Sequence, residues 1–296
     1  LQLFEKVLST DAIDINELRK HCFNGIPDSN GLRPLCWKIL LGYLDTNRKS
    51  WHETLSFKRS LYNQYISEMV VLPSLLQAEC IDHPLSEGPD SKWNIFFKDN
   101  EFLLQIDKDV RRLYPDISFF QQPTEFPCNL VVKNNDERRL HQRVVPSKFS
   151  SANVERKGVG MTKINLITNR SQNDYEALDE GQEAHWEVVQ RILFIYAKLN
   201  PGQGYVQGMN EIIGPIYYIM ASNQNIEEKE HAEADSFFCF TLLMSEIRDF
   251  FIKTLDNSET GINFMMCKLT EILKIKAPNI HNLLMEQEIH SQYFSF

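Results

Sequence analysis

No stretch of this chain stays apolar long enough to cross a lipid bilayer. Its longest such run, Ile212 to Met220, is nine residues interrupted by Gly214-Pro215, whereas a spanning helix needs about 20. Basic residues are outnumbered: 31 Lys and Arg against 40 Asp and Glu give a formal net charge of −9, which argues against general binding of nucleic acid. The six cysteines include no C-x-x-C and no Cys/His spacing suited to a metal. Most stand beside large apolar residues, as in Phe238-Cys239-Phe240, where a reduced thiol packs as a small hydrophobe. These shortages point to the reducing cytoplasm, with no metal site. What remains, 296 residues at 43% hydrophobic and 24% charged, is ordinary for a globular protein and long enough for a large core.

Helical periodicity dominates. Asn16 to Phe23 follows it and stops at Gly25, with Pro27 beyond. A second helix is expected from Leu32, with Pro34 in its first turn, where a missing N–H does no harm. It runs through Trp37, Ile39, Leu40, Leu41 and Leu44. Trp51 to Met69 is a third, broken by Val71-Leu72-Pro73. Leu103, Ile106, Val110 and Leu113 recur at steps of three, four and three, a narrow stripe closed by Pro115. Ala184 to Leu199 carries the clearest pattern, with Val188, Val189, Ile192, Ile195, Tyr196 and Leu199 as its buried face and Asn200-Pro201-Gly202 as its stop. Asp235 to Phe251 is apolar almost all round between Phe237 and Met244 and is expected at the centre. Strand-like alternation and internal repeats are not visible, so the fold class is all-α.

One segment departs from that order. Residues 121 to 182 lose the periodicity and gather Gln, Asn, Ser, Gly and charge. Between Lys133 and Arg170 nine basic residues (Lys133, Arg138, Arg139, Arg143, Lys148, Arg156, Lys157, Lys163 and Arg170) face three acidic ones, a local net charge of +6. Two readings stand: a solvated irregular insertion, or a basic arm for peripheral contact with anionic membrane lipid. Gly158-Val159-Gly160-Met161 is not a phosphate loop, since it lacks the third glycine, a preceding strand and a following helix.

Two short segments carry groups suited to phosphoryl chemistry. At about 100° per residue, Arg112 points roughly 140° from the middle of the Leu103-to-Leu113 stripe, so it faces solvent near its helix's C-terminal end. It is either an exposed arginine paired with Asp109 or favoured by the helix dipole, or a cation offered to an anionic partner. Periodicity does not choose between Arg111 and Arg112, because both lie off the apolar face. Gly202, Gly204 and Gly208 crowd seven residues, so the backbone there turns sharply or approaches something closely. Gln207 either satisfies local backbone groups beside a core Tyr205 or presents its amide outward. A guanidinium can spread the charge developing on a transferring phosphoryl group, and a carboxamide can hold the attacking water.

Three motifs occur in order: Arg33-x-x-x-Trp37 preceded by Gly25-Ile26-Pro27, Ile106-x-x-Asp109-x-x-Arg112, and Tyr205-x-Gln207 followed by Gly208-Met209-Asn210. Together they resemble the signatures of the TBC domain of Rab GTPase-activating proteins. Trp93, Phe97, Asp99 and Asn100 ahead of the arginine, and Asp116 and Phe119-Phe120 after it, are similar as well. The likeness covers roughly residues 18–120 and 183–296. It implies a single TBC domain of two helical lobes over 1–296, with an insertion at about 121–182. Phe97-Lys98-Asp99-Asn100 and His231-Ala232-Glu233-Ala234-Asp235 are most similar to the member-thirteen branch of the family, which tolerates such an insertion.

The resemblance implies an activator of a GTP-bound Rab in membrane trafficking, not an enzyme in its own right. Arg112 would be its arginine finger and Gln207 its glutamine finger, supported by Ile106, Asp109, Tyr205 and Asn210. Arg33 and Trp37 are expected to be structural, Trp37 as a core anchor and Arg33 as a buried or half-buried pair partner. No cofactor of its own is implied, because GTP and Mg2+ are carried by the partner GTPase. The location implied is cytoplasmic, and peripheral on endomembranes where the basic arm meets lipid. Two other classes stay open: a catalytically silent module that binds a small GTPase, and a helical scaffold. Family domains continue with further helices beyond the position of Phe294-Ser295-Phe296, usually beginning Arg-Trp. The domain is therefore expected to be incomplete at its C-terminal end, with apolar surface exposed there.

Overall fold

The computed structural model of the protein describes residues 1–70, 92–132, 139–144, 175–179 and 181–295. Its helices are α1 (Gln2–Leu8), α2 (Ile15–Phe23), α3 (Leu32–Leu40), α4 (Trp51–Met69), α5 (Lys92–Val110), α6 (Asn129–Val132), α7 (His185–Leu199), α8 (Met209–Ala221), α9 (Ile226–Lys229), α10 (Ala232–Ile247), α11 (Ile262–Lys276) and α12 (Pro278–Glu286). Among the described residues, β-pairing is limited to two isolated bridges, Ala12 to Asn47 and Pro123 to Ala184, and the all-α expectation holds. No helix there is long and apolar enough to cross a membrane. The chain divides into two compact units, Leu1–Thr241 and Leu242–Phe296.

In the first unit α7 lies at the centre, packed by α4, α5, α8 and the turns at Ser118–Gln121 and Leu140–Val144. Its N-terminus is closed by Glu187, whose carboxylate accepts the Ala184 N–H at 2.8 Å. The expectation of one buried face is corrected in two ways. Trp186, Leu193 and Phe194 are buried as fully as Val189 and Ile192, while Leu199 is 38% exposed. A helix enclosed on all sides must satisfy its polar side chains internally. Gln190 Nε2 accordingly donates to Asp107 Oδ1 at 2.8 Å, and the Arg191 guanidinium is shared between Glu183 and Glu233. Tyr62 donates its hydroxyl to the same Glu233 at 2.8 Å.

Helix α3 stops at Leu40 rather than reaching Leu44, because Gly42 turns with φ +75°. The returning Tyr43 and Leu44 amides both donate to the Lys38 carbonyl, at 2.9 and 3.0 Å. The side chain of Lys38 is buried, with Nζ 2.5 Å from both Glu228 Oε2 and Asp235 Oδ2. Arg59 donates to Asp235 through Nε at 3.0 Å and Nη2 at 2.8 Å, and Tyr43 adds a hydroxyl at 2.8 Å. Burial alone would raise the Asp235 carboxyl, but Arg59 and Lys38 hold it below the ordinary range. Two cations and two carboxylates thus join α3, α4, α9 and α10, and removing one member costs about 3–5 kcal/mol. Within α10, Phe237, Phe238, Cys239, Phe240 and Met244 are buried, whereas Leu242 is 37% exposed, so this helix is only partly enclosed.

The stretch 121–182 is not wholly a solvated insertion. Leu140, His141, Val144 and Tyr175 are buried, and two of its basic residues turn inward. Arg139 donates to the carbonyls of Leu178 and Gln182. Arg143 donates to Asn100 Oδ1 at 3.1 Å with its guanidinium 4.4 Å over the Phe96 ring, and burial lowers its pKa to about 10. Neither is available to lipid. The other seven basic residues and the Gly158-to-Met161 motif lie outside the described residues.

In the second unit, α11 and α12 contain no buried residue. The hydroxyls of Thr270 and Ser291 lie 2.5 Å apart, joining α11 to the turn Ser291–Tyr293. Ile272, Ile275, Ile280 and Leu283 are exposed.

His185, the first residue of α7, is buried with its ring stacked 3.9 Å from Phe119 and Nδ1 2.7 Å from the Tyr217 hydroxyl. Burial, aided by the Lys229 charge, pushes its pKa down to about 4. Between its unfolded value near 6.5 and that folded value, only the unfolded chain takes up the proton. Stability is therefore expected to fall with acidification in that window, by up to about 1.4 kcal/mol per pH unit from this group. Urea unfolding between pH 7 and 5 should show a shallower slope for His185→Gln than for the unmodified protein. Equal slopes would remove His185 as the cause.

Candidate functional site

The buried stripe of α5 sets the rotation of everything that follows it. Leu103, Ile106, Val110 and Leu113 are fully enclosed, so the chain's exit carries Asp109 inward at 3% exposure and leaves the Arg112 side chain 58% exposed. Arg112 Nη2 donates to Asp109 Oδ1 at 2.5 Å. The other carboxylate oxygen accepts the Tyr205 hydroxyl at 2.7 Å. Burial and this acceptor raise the Tyr205 phenol well above its usual range, so it stays a donor. Asn210 Oδ1 stands 3.3 Å from the same hydroxyl, and its amide donates to Glu211 Oε1 at 2.8 Å. One buried carboxylate therefore holds the arginine turn and the 205–210 segment to each other, 96 residues apart in sequence.

Gln207 stands at the tip of that second segment. Gly204 and Gly208 adopt φ of +63° and +99°, and Gly208 caps the N-terminus of α8. Across Gly208 the Met209 N–H donates to the Val206 carbonyl at 3.2 Å, a tight turn that leaves Gln207 exposed while Tyr205, Met209 and Asn210 are buried. Arg112 and Gln207 are thus both exposed side chains on segments joined through Asp109 and Tyr205. Ile106 belongs to the core beneath them.

A second tie was not visible in the sequence. Gly214-Pro215 interrupts the apolar run but not the helix, since α8 continues through Pro215. Proline has no N–H for the carbonyl four residues earlier, which here is that of Glu211. The Tyr114 hydroxyl donates to that carbonyl instead, at 2.8 Å. Tyr114 reaches it from a left-handed conformation, φ +45°, with its ring stacked on Phe120 and seated over Gly214. The sequence signal for this is a glycine inside an apolar helix, a residue that costs about 1 kcal/mol there relative to alanine.

One choice that periodicity leaves open is decided, and one expectation needs correction. Arg111 and Arg112 differ in burial. Arg111 is 2% exposed, donates to Asp107 Oδ2 at 2.8 Å and lies 4.5 Å over the Trp186 ring. Its direction is off the apolar stripe, but α7 rather than solvent lies there. Trp37 is only half-buried rather than a core anchor, because α3 turns its Cys36 and Ile39 inward instead. Arg33 donates to the Ile26 carbonyl at 3.3 and 3.0 Å, with Asp28 at 3.8 Å.

A family model described as the Rab-GTPase-TBC domain matches residues 126–296. The chain is 52% identical to mouse TBC1 domain family member 13 over 99% of its own length and 77% of that protein's. It is 34% identical to the TBC domain-containing protein C1952.17c of Schizosaccharomyces pombe over its full length and 57% of that relative. Among solved structures, the Ypt/Rab-GAP domain of Gyp1p is similar in fold, with a TM-score of 0.56 at 20% identity over 97% of this chain and 68% of that one.

The Tyr114 seat leaves no free space for a Cβ at Gly214. A Cβ there would lie 2.6 Å from Tyr114 Cε2 and 3.4 Å from Leu113 Cδ1. Gly214→Ala is expected to cost about 1–3 kcal/mol in urea unfolding. Gly202→Ala, whose Cβ would meet nothing within 4 Å, is expected to stay within about 0.5 kcal/mol. Similar losses at both positions would refute the seat.

Proposed function

Because the chain belongs to the Rab-GTPase-TBC domain family, we propose that it activates GTP hydrolysis by a Rab-type small GTPase, lending Arg112 and Gln207 to the partner's nucleotide. The observation that carries this reading is the Asp109 carboxylate, which accepts from both Arg112 and Tyr205. It holds a guanidinium-bearing turn to a carboxamide-bearing turn while both tips stay exposed.

The GTP-loaded partner docks against this face, bringing its own nucleotide and Mg2+. Arg112 swings from Asp109 toward the β- and γ-phosphates, where its charge offsets that developing in the transition state. Its neighbour Asp109 restrains it beforehand, so less side-chain freedom is lost on engagement. Gln207 orients the attacking water. Tyr205 keeps the Gln207 turn in place, with Asn210 beside its hydroxyl. No covalent step falls to this chain, whose contribution is charge and position.

Arginine-finger contributions of about 10³–10⁵ in rate correspond to roughly 4–7 kcal/mol of barrier. In single-turnover phosphate release from a panel of GTP-loaded Rabs, Arg112→Ala is expected to abolish most of the stimulation and to lower the melting temperature, because the buried Asp109 carboxylate loses one donor, while the chain stays folded with Tyr205 still donating to Asp109. Gln207→Ala should be nearly as damaging. Undiminished stimulation in either variant would cancel that residue's role. Tight binding to the GTP state without acceleration would instead identify a silent binding module.

A further inference from the structure

Residue 112 is flanked by two carbonyls that a single distant residue holds. Helix α5 ends at Val110, so the carbonyls of Arg111 and Leu113 lie beyond its hydrogen-bond ladder and need other partners. The Tyr175 N–H donates to the Arg111 carbonyl at 3.0 Å, and the Tyr175 hydroxyl donates to the Leu113 carbonyl at 2.6 Å. The bond is returned: Arg111 Nη1 donates to the Tyr175 carbonyl at 2.6 Å. Arg111 itself is fixed by Asp107 and by the Trp186 ring, and Asp107 by Gln190 of α7. Tyr175 is 6% exposed. This connection is separate from the Asp109 tie, since no group is shared between the two.

We propose that Tyr175 is a positioning residue for Arg112, clamping the 111–112 and 113–114 peptide units that bracket the Arg112–Leu113 step, and that Arg111 is the anchor that keeps Tyr175 in place. The proposal rests on the reading of Arg112 as the finger. It gives the two adjacent arginines different tasks, one directed at the partner and one at the protein's own backbone.

Tyr175→Phe removes the bond to the Leu113 carbonyl, together with the hydroxyl's side-chain hydrogen bond with Gln121, and keeps the ring. With the Rab most strongly stimulated in the panel, the saturating single-turnover rate is expected to fall about 5-fold, the effect of one hydrogen bond. The concentration of this protein giving half-maximal rate should not change. On an Arg112→Ala background the same substitution should cost nothing further. An equal loss on that background, a shift in half-saturation alone, or no loss at all would overturn the proposal. Hydrogen exchange in the free protein tests it without any Rab: amides 111–114 should exchange faster in Tyr175→Phe, with α7 unchanged. Unaltered exchange there overturns the clamp, whereas intact stimulation in Arg112→Ala alone overturns the finger reading and leaves the clamp to the exchange result.

Discussion

A carboxylate taken out of water has to be compensated where it lies, and Asp109 imposes that condition on this fold. At 3% exposure it would be costly alone. It accepts one hydrogen bond from the turn that follows α5 and another from the start of the segment leading into α8. Each segment is otherwise a glycine- or proline-marked break with several conformations open to it. Joined through Asp109, they present Arg112 and Gln207 to solvent and keep Tyr205 and Asn210 buried.

The same device recurs through the first unit. Lys38, Arg59, Glu228 and Asp235 draw α3 and α4 onto α9 and α10, Lys38 reaching 190 positions along the sequence to Glu228 and Tyr43 reaching 192 to Asp235. Arg191 gathers Glu183 and Glu233 around α7. Apolar packing brings these helices together but is non-directional, so it leaves their sliding and rotation less constrained. Fixed donors and acceptors select one registration. Tyr114 does likewise on a smaller scale, supplying the bond that Pro215 withholds from the Glu211 carbonyl.

What could be read from the sequence follows from which side chains record their surroundings locally. The stripe from Leu103 to Leu113 and the span Trp51–Met69 were legible because apolar spacing reports burial directly. Leu199 was misplaced because periodicity does not say where the covering helices end. Arg111 was unreadable for a related reason: its neighbours are Tyr175 and Trp186, far along the chain. Lys38 is a lone basic residue whose burial depends entirely on Glu228 and Asp235. At the candidate site, periodicity yielded only the outward direction of Arg112, and the motif likeness distinguished it from Arg111. Tyr114, Gly214 and Tyr175 belong to no local pattern, since their partners are set by tertiary packing.

Trp186 has one more consequence. Its indole is completely enclosed and carries the Arg111 guanidinium 4.5 Å above its face. An excited indole without mobile water around it emits at shorter wavelengths than an exposed one, and a cation near the ring perturbs that emission further. Any rearrangement that withdraws Arg111 would alter both conditions together. With Trp37, Trp51 and Trp93 replaced by phenylalanine, the remaining indole becomes an intrinsic optical reporter on the backbone turn beside Arg112.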